Sequence, residues 1–159
     1  MAREIERKFL VRGDDWRPGA QGVVYRQGYL GAGEGAVCTV RVRVAGESAW
    51  LTIKGRSSGG ARDEYEYPVP VADAEEMLDR LCPGGRVEKI RHRVPYAGRL
   101  WEVDEFIGEN APLVVAEVEL DSIDAEVSLP LWVGREVTED PRYTNAALAL
   151  QPYSRWGRL

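Results

Sequence analysis

The chain has 159 residues, of which 44% are apolar and 30% charged, with a formal net charge of −5. This fits a single domain, residues 1–159, large enough to bury a core. The acidic balance excludes a broad nucleic-acid binder. No run approaches the roughly 20 apolar residues of a membrane helix, and charges at Arg3, Glu4, Glu6, Arg7 and Lys8 interrupt any signal-peptide pattern. Cys38 and Cys82 have no metal-ligand spacing and fit a reducing compartment. The expectation is a cytoplasmic monomer or homodimer with no membrane or nucleic-acid partner.

Side chains alternate across a strand, and period-2 patterning predicts strands near 3–11, 23–31, 36–45, 48–54, 62–70, 86–95, 99–107 and 113–121. In the first, Glu4, Glu6 and Lys8 share a face opposite Ile5 and Phe9. Glycine-rich turns separate the strands, including one around 31–35. A helix over 72–82 is expected, opened by Asp73 and closed before Pro83-Gly84-Gly85, with Met77, Leu78 and Leu81 as its apolar stripe. A second is expected over 139–150, with Thr138 as its cap and Pro141 in its first turn. Residues 12–22 and 122–137 read as irregular or as short helical turns.

Eight antiparallel strands in series favour closure into a barrel, because closure removes exposed edges. The fold expected is therefore mainly β, an eight-stranded antiparallel closed barrel with flanking helices. Which face points inward decides the chemistry. One polarity puts the charged faces in water. The other places the helices outside on the apolar faces and lines the lumen with charge. The inner carboxylates would then be Glu4, Glu6, Glu64, Glu66, Glu102, Asp104, Glu117 and Glu119. The inner cations would be Lys8, Arg41, Arg43, Lys54, Arg62, Lys89, Arg91 and Arg93. So many buried charges are tolerable only if paired with each other or with ligands. A basic wall suits linked phosphates, and clustered carboxylates suit Mg2+ or Mn2+.

No other catalytic set competes. The glycines at 31, 33 and 35 are not followed by the Gly-Lys-Ser/Thr of a phosphate-binding loop and read as a hairpin loop. His92 alternates onto an apolar face and reads as structural. The serines form no nucleophile elbow, and the cysteines read as core or surface residues.

Glu4-Ile5-Glu6-Arg7-Lys8 resembles the ExExK signature of the CYTH, or triphosphate tunnel metalloenzyme, superfamily. The resemblance continues through Arg26-Gln27-Gly28-Tyr29-Leu30, Val40-Arg41-Val42-Arg43, Leu51-Thr52-Ile53-Lys54, Glu64-Tyr65-Glu66 and Val87-Glu88-Lys89-Ile90-Arg91. It takes in Asp104, Ala116-Glu117-Val118-Glu119, and the segment from Gly134 to Asp140 with Arg142-Tyr143 and Asn145. The match runs in order along nearly the whole chain and looks most like the small bacterial inorganic triphosphatases.

The resemblance implies a tunnel that holds a triphosphate and a divalent metal in its lumen. By position it implies metal-associated roles for Glu4, Glu6, Asp104, Glu117 and Glu119. It implies phosphate contacts from Lys8, Arg41, Arg43, Lys54, Lys89 and Arg91, with Lys8 also counted among the catalytic residues. Glu64 or Glu66 would assist a second metal or the attacking water. The reaction implied is hydrolysis of inorganic triphosphate to pyrophosphate and phosphate. Alternatives are a nucleoside or thiamine triphosphatase, a class IV-like adenylate cyclase, and a non-catalytic polyphosphate- or nucleotide-binding barrel.

Overall fold

A computed structural model of the chain describes residues 3–30, 37–56, 58, 59 and 61–157. The hairpin loop expected around 31–35 lies outside the described residues, as does the first residue expected of the strand over 36–45. The strands are β1 (Arg3–Val11), β2 (Gln21–Tyr29), β3 (Cys38–Ala45), β4 (Ser48–Gly55), β5 (Ala61–Val69), β6 (Val87–Tyr96), β7 (Arg99–Ile107), β8 (Val114–Glu119) and β9 (Val133–Glu136). Helix α1 spans Val71–Arg80 and α2 spans Asn145–Leu150.

The strands pair antiparallel in the order β5-β4-β3-β2-β6-β7-β8-β1, and a further β5–β1 pairing closes the ring. Strand β1 makes that closure. One edge pairs with β8, Glu6 opposite Glu119 and Lys8 opposite Glu117. Its other edge pairs with β5 at Arg3–Ile5 and with β9 at Phe9 and Val11. Strand β9 is the ninth and falls where an irregular segment is expected. Its four residues, Val-Gly-Arg-Glu, are too few for a period-2 signal.

The polarity is charge-inward. The outer faces of β1, β6, β7 and β8 carry Phe9, Val94, Trp101, Val103, Ala116 and Val118, which are covered by Trp16, Trp132 and Leu120 from the connecting segments. Helix α1 lies outside β3 and β4, burying Ala74 and Leu78 on Val42, Val44 and Ala49. Gly28 in β2 permits this approach, since a Cβ there would sit 2.6 Å from Cys82 Sγ. The helix starts after Pro70, and Asp73 lies in its first turn without capping it.

Helix α2 departs from the expected outer position. Its Leu148 and Ala149 pack with Tyr29, Val87, Phe106 and Val115. These four share strand faces with Gln27, Lys89, Asp104 and Glu117, so the lumen changes from charged to apolar at one end, and α2 plugs that end. The expected helix over 139–150 is two pieces. A 3-10 turn, Pro141–Tyr143, is capped by Asp140, whose side chain accepts from Arg142 N. Thr144, not Thr138, caps α2 by accepting from Ala147 N. Thr138 instead holds the edge of β1, accepting from Lys8 N at 3.0 Å. Among the described residues, no helix is long and apolar enough to cross a membrane.

Candidate active site

The charged part of the lumen forms a cavity of about 260 Å³. Its carboxylates are Glu4, Glu6, Glu64, Glu66, Glu102, Glu117 and Glu119, and its cations are Lys8, Arg41, Arg43, Lys54, Arg62 and Arg91. Tyr29, Thr39 and, from the α2 entry, Thr144, Asn145 and Ala146 complete the lining. Every strand-derived charge here comes from the alternation read in the sequence. Lys89 and Asp104 do not border the cavity. They lie beneath it, with side chains 0% and 1% exposed. Arg93, expected in the lumen, is exposed and is not part of the lining.

The pairing of these charges is uneven. Glu4 accepts from Lys54 Nζ at 3.0 and 3.1 Å and from Arg62 Nε at 3.2 Å. Burial pushes its carboxyl up, but Lys54 and Arg62 outweigh burial and hold it below the usual range. Glu117 lies 3.5 Å from Lys8 Nζ and 3.6 Å from Arg91 Nη2. Burial there too is overcome, by Lys8 and Arg91, and its carboxyl is held well below the usual range. Asp104 accepts from Lys89 Nζ at 2.7 Å and from Arg91 Nε and Nη2 at 2.7 and 2.8 Å. Glu66 accepts from Thr52 Oγ1 at 2.8 Å and lies 3.6 Å from Arg41 Nη2. Glu102 lies 3.4 Å from Arg91 Nη1.

Three carboxylates stand apart. Among the described residues, Glu6, Glu64 and Glu119 have no ion-pair partner within 4 Å. Burial, then Glu117 and Glu4, push the Glu6 carboxyl up to about 8. Burial and Glu4 raise Glu64, and burial, Glu4 and Glu64 raise Glu119. Glu6 and Glu119 face each other across the β1–β8 pairing. A deficit of positive charge therefore sits on the β1, β5 and β8 walls.

The opposite deficit sits on β3. Arg41 Nε is buried with no hydrogen-bond partner. Arg43 has no carboxylate partner among the described residues, and its Nε donates to the amide oxygen of Gln27 at 2.9 Å. Burial, then Arg41 and Arg91, pull its guanidinium down. Tyr25 lies under both Arg43 and Arg91, with ring centroids 4.8 and 5.2 Å from the guanidinium carbons. Sequence reasoning gave no role to Gln27, Tyr25 or Thr52. Their positions on the inward faces of β2 and β4 were available as a signal.

The donor set fits a hard divalent cation by type, since Glu6 and Glu119 offer carboxylate oxygen that lacks a counter-charge. Among the described residues, no three acidic, histidine or cysteine side chains form a ready-made cage. That suits an ion which keeps several waters and needs only one or two carboxylates plus phosphate oxygens.

The CYTH domain family model matches residues 2–148. An inorganic triphosphatase of Acetivibrio thermocellus is 48% identical over 156 residues, covering 98% of this chain and 99% of that protein. One from Nitrosomonas europaea is 44% identical over 153 residues, covering 92% and 97%. The crystal structure of an inorganic triphosphatase superimposes with a TM-score of 0.68 at 38% identity, covering 94% of this chain and 96% of that one. A Pyrococcus horikoshii protein shares the fold at 22% identity, with a TM-score of 0.58 and coverage of 75% and 79%. With the family model matching residues 2–148 and relatives 48% and 44% identical over nearly their whole length, the chain, a closed antiparallel barrel, belongs to the CYTH domain family.

Proposed function

We propose that the chain is a divalent-metal-dependent hydrolase that splits inorganic triphosphate into pyrophosphate and phosphate inside the barrel. The observation that carries this reading is the separation of unsatisfied charge. Arg43, with no carboxylate partner among the described residues, and Arg41, whose Nε has no acceptor although its Nη2 meets Glu66, stand on β3. Cation-seeking Glu6, Glu64 and Glu119 stand on β1, β5 and β8. A polyphosphate and a metal together satisfy both. A plain anion binder gains nothing from the carboxylates. The two full-length relatives bearing the name inorganic triphosphatase support the same choice of substrate.

In this reading Arg41, Arg43, Lys54 and Arg91 hold phosphate oxygens, Arg with its planar fork and Lys as a point charge. Lys8 donates to Tyr143 O at 3.2 Å and pairs with Glu117, and its third N–H is left for a phosphate oxygen. Glu6 and Glu119 would hold the metal, with Glu4 and Glu117 at its flank. Bound Mg2+ or Mn2+ supplies charge neutralisation at the phosphates and makes a nearby water more acidic. Glu64, whose carboxyl burial and Glu4 raise and so make more basic, takes the proton of the attacking water. Glu66 is committed to Thr52 and Arg41 and suits that task less. Asp104 and Lys89 support Arg91 from below. Both cysteines are free thiols, and we place the reaction in the cytoplasm.

The test is phosphate release from inorganic triphosphate with Mg2+ or Mn2+, against ATP and against EDTA. Triphosphate should turn over fastest, and EDTA should stop it. Metal-independent turnover, or cyclic AMP formed from ATP as the main product, would overturn the reading.

A further inference from the structure

Arg43 is set apart from the other cavity arginines by the neutrality of its partner. Arg41 has Glu66, Arg62 has Glu4, and Arg91 has Asp104, Glu117 and Glu102. Arg43 has Gln27, which is 0% exposed and lies directly opposite it across the β2–β3 pairing. The orientation of the Gln27 amide is fixed by chemistry, because a guanidinium only donates and must therefore meet the amide oxygen. The amide nitrogen consequently points the other way, and it donates to Tyr29 Oη at 3.2 Å. Tyr29 lines the cavity. With its oxygen already accepting from Gln27, its own proton is left to donate into the cavity.

We propose that Gln27 is the positioning residue that aims two donors, the Arg43 guanidinium and the Tyr29 hydroxyl, at the bound phosphate chain while leaving the charge of Arg43 uncompensated. This rests on the triphosphatase reading above. A carboxylate at position 27 would undo both effects at once. It would neutralise Arg43, as the carboxylates beside the other arginines do, and it would accept the Tyr29 proton and turn that hydroxyl away from the cavity. A side chain whose role was only to fill space and satisfy Arg43 would be served as well, or better, by glutamate.

The experiment compares wild type, Gln27→Glu, Arg43→Gln and the double variant, reading KM and kcat for inorganic triphosphate and the melting temperature of each. Q27E should melt no lower than wild type, raise KM about tenfold or more, and lower kcat by less than it raises KM. In the R43Q background, most of the Q27E effect on KM should disappear. A wild-type KM in Q27E, or an undiminished Q27E effect without Arg43, overturns the assignment. If Q27E does not fold, Gln27→Leu serves instead, and a KM within twofold of wild type overturns it. Calorimetric binding of triphosphate to wild type and Q27E keeps the two readings separable. A wild-type protein that binds triphosphate without hydrolysing it sinks the triphosphatase, whereas equal affinities sink the role of Gln27.

Discussion

Lys89 Nζ lies 2.7 Å from Asp104 Oδ2, and the two side chains satisfy each other below the floor of the cavity. Their strand register alone places them among the ligands. We propose that this pairing makes Lys89 a support for Asp104 and Arg91 instead of the phosphate ligand that the resemblance implies. Lys89→Met should cost about 3 kcal/mol of stability, since it removes one partner of a buried pair. Its effect on triphosphate and ATP turnover should be similar. Urea denaturation and kcat/KM for both substrates check this, and a selective loss for triphosphate would return Lys89 to the binding wall.

Arg43 and Arg91 should respond to alanine in opposite ways. Arg91→Ala leaves Asp104 and Glu117 buried with fewer partners, and about 3–5 kcal/mol of stability should be lost. Arg43→Ala strands no carboxylate among the described residues, only the neutral amide oxygen of Gln27, and should cost less stability, about 1–2 kcal/mol. Its cost should appear as a KM for triphosphate raised about tenfold or more. Denaturation curves and steady-state kinetics on both variants decide the contrast.

Glu6→Gln and Glu119→Gln should each lower metal-dependent turnover by at least about a hundredfold, beyond what outer-shell changes at metal sites cost. Both should fold. In metal-free protein each should be at least as stable as wild type, because the swap removes a carboxylate that burial and like charges already push toward its neutral form. Mn2+ titration of turnover, with thermal melts in EDTA, supplies the check.

The raised Glu6 carboxyl gives metal-free protein a definite pH signature. Folded Glu6 keeps its proton up to about pH 8, whereas unfolded Glu6 loses it near its ordinary value of 4.5. The folded state therefore binds more protons through that window, and stability falls as pH rises. Glu64 and Glu119 act in the same direction. The lowered carboxyls Glu4, Glu117 and Asp104 act oppositely, but only as pH falls toward and below their unfolded values. Between pH 5 and 6.5, in EDTA, stability should decline by about 1 kcal/mol per pH unit. Glu6→Gln should flatten much of that slope. A stability that instead rose with pH in wild type would contradict the charge crowding.

The barrel was legible because strand alternation is a local property, and on β3 the basic and apolar sets separate cleanly. Alternation left the polarity open, and the family resemblance implied the charged lumen. What alternation cannot convey is depth along the lumen. Phe106 has the same parity as Glu102 and Asp104, and Val115 the same as Glu117, yet both face the apolar plug. Read again, those apolar residues at inward positions mark where the charged lumen stops. Pairing choice was equally hidden. Nothing local says that Asp104 takes Lys89 and Arg91, or that Arg43 takes a glutamine. The helix over 139–150 failed because Pro141 and Thr144 each begin a separate hydrogen-bonded turn.

Strand β1 carries Glu4, Glu6 and Lys8, and all its pairing partners lie far along the chain, at 61–63, 115–119 and 133–136. Because it precedes all of them in the chain, β1 is among the last strands to be fully matched, its pairing complete only once residues 133–136 are in place. Such high contact order makes for slow folding. Affinity for the metal and for triphosphate should therefore be absent from any growing or truncated chain lacking β9. The ligands can then act only on the finished barrel, which they stabilise by mass action once it has closed.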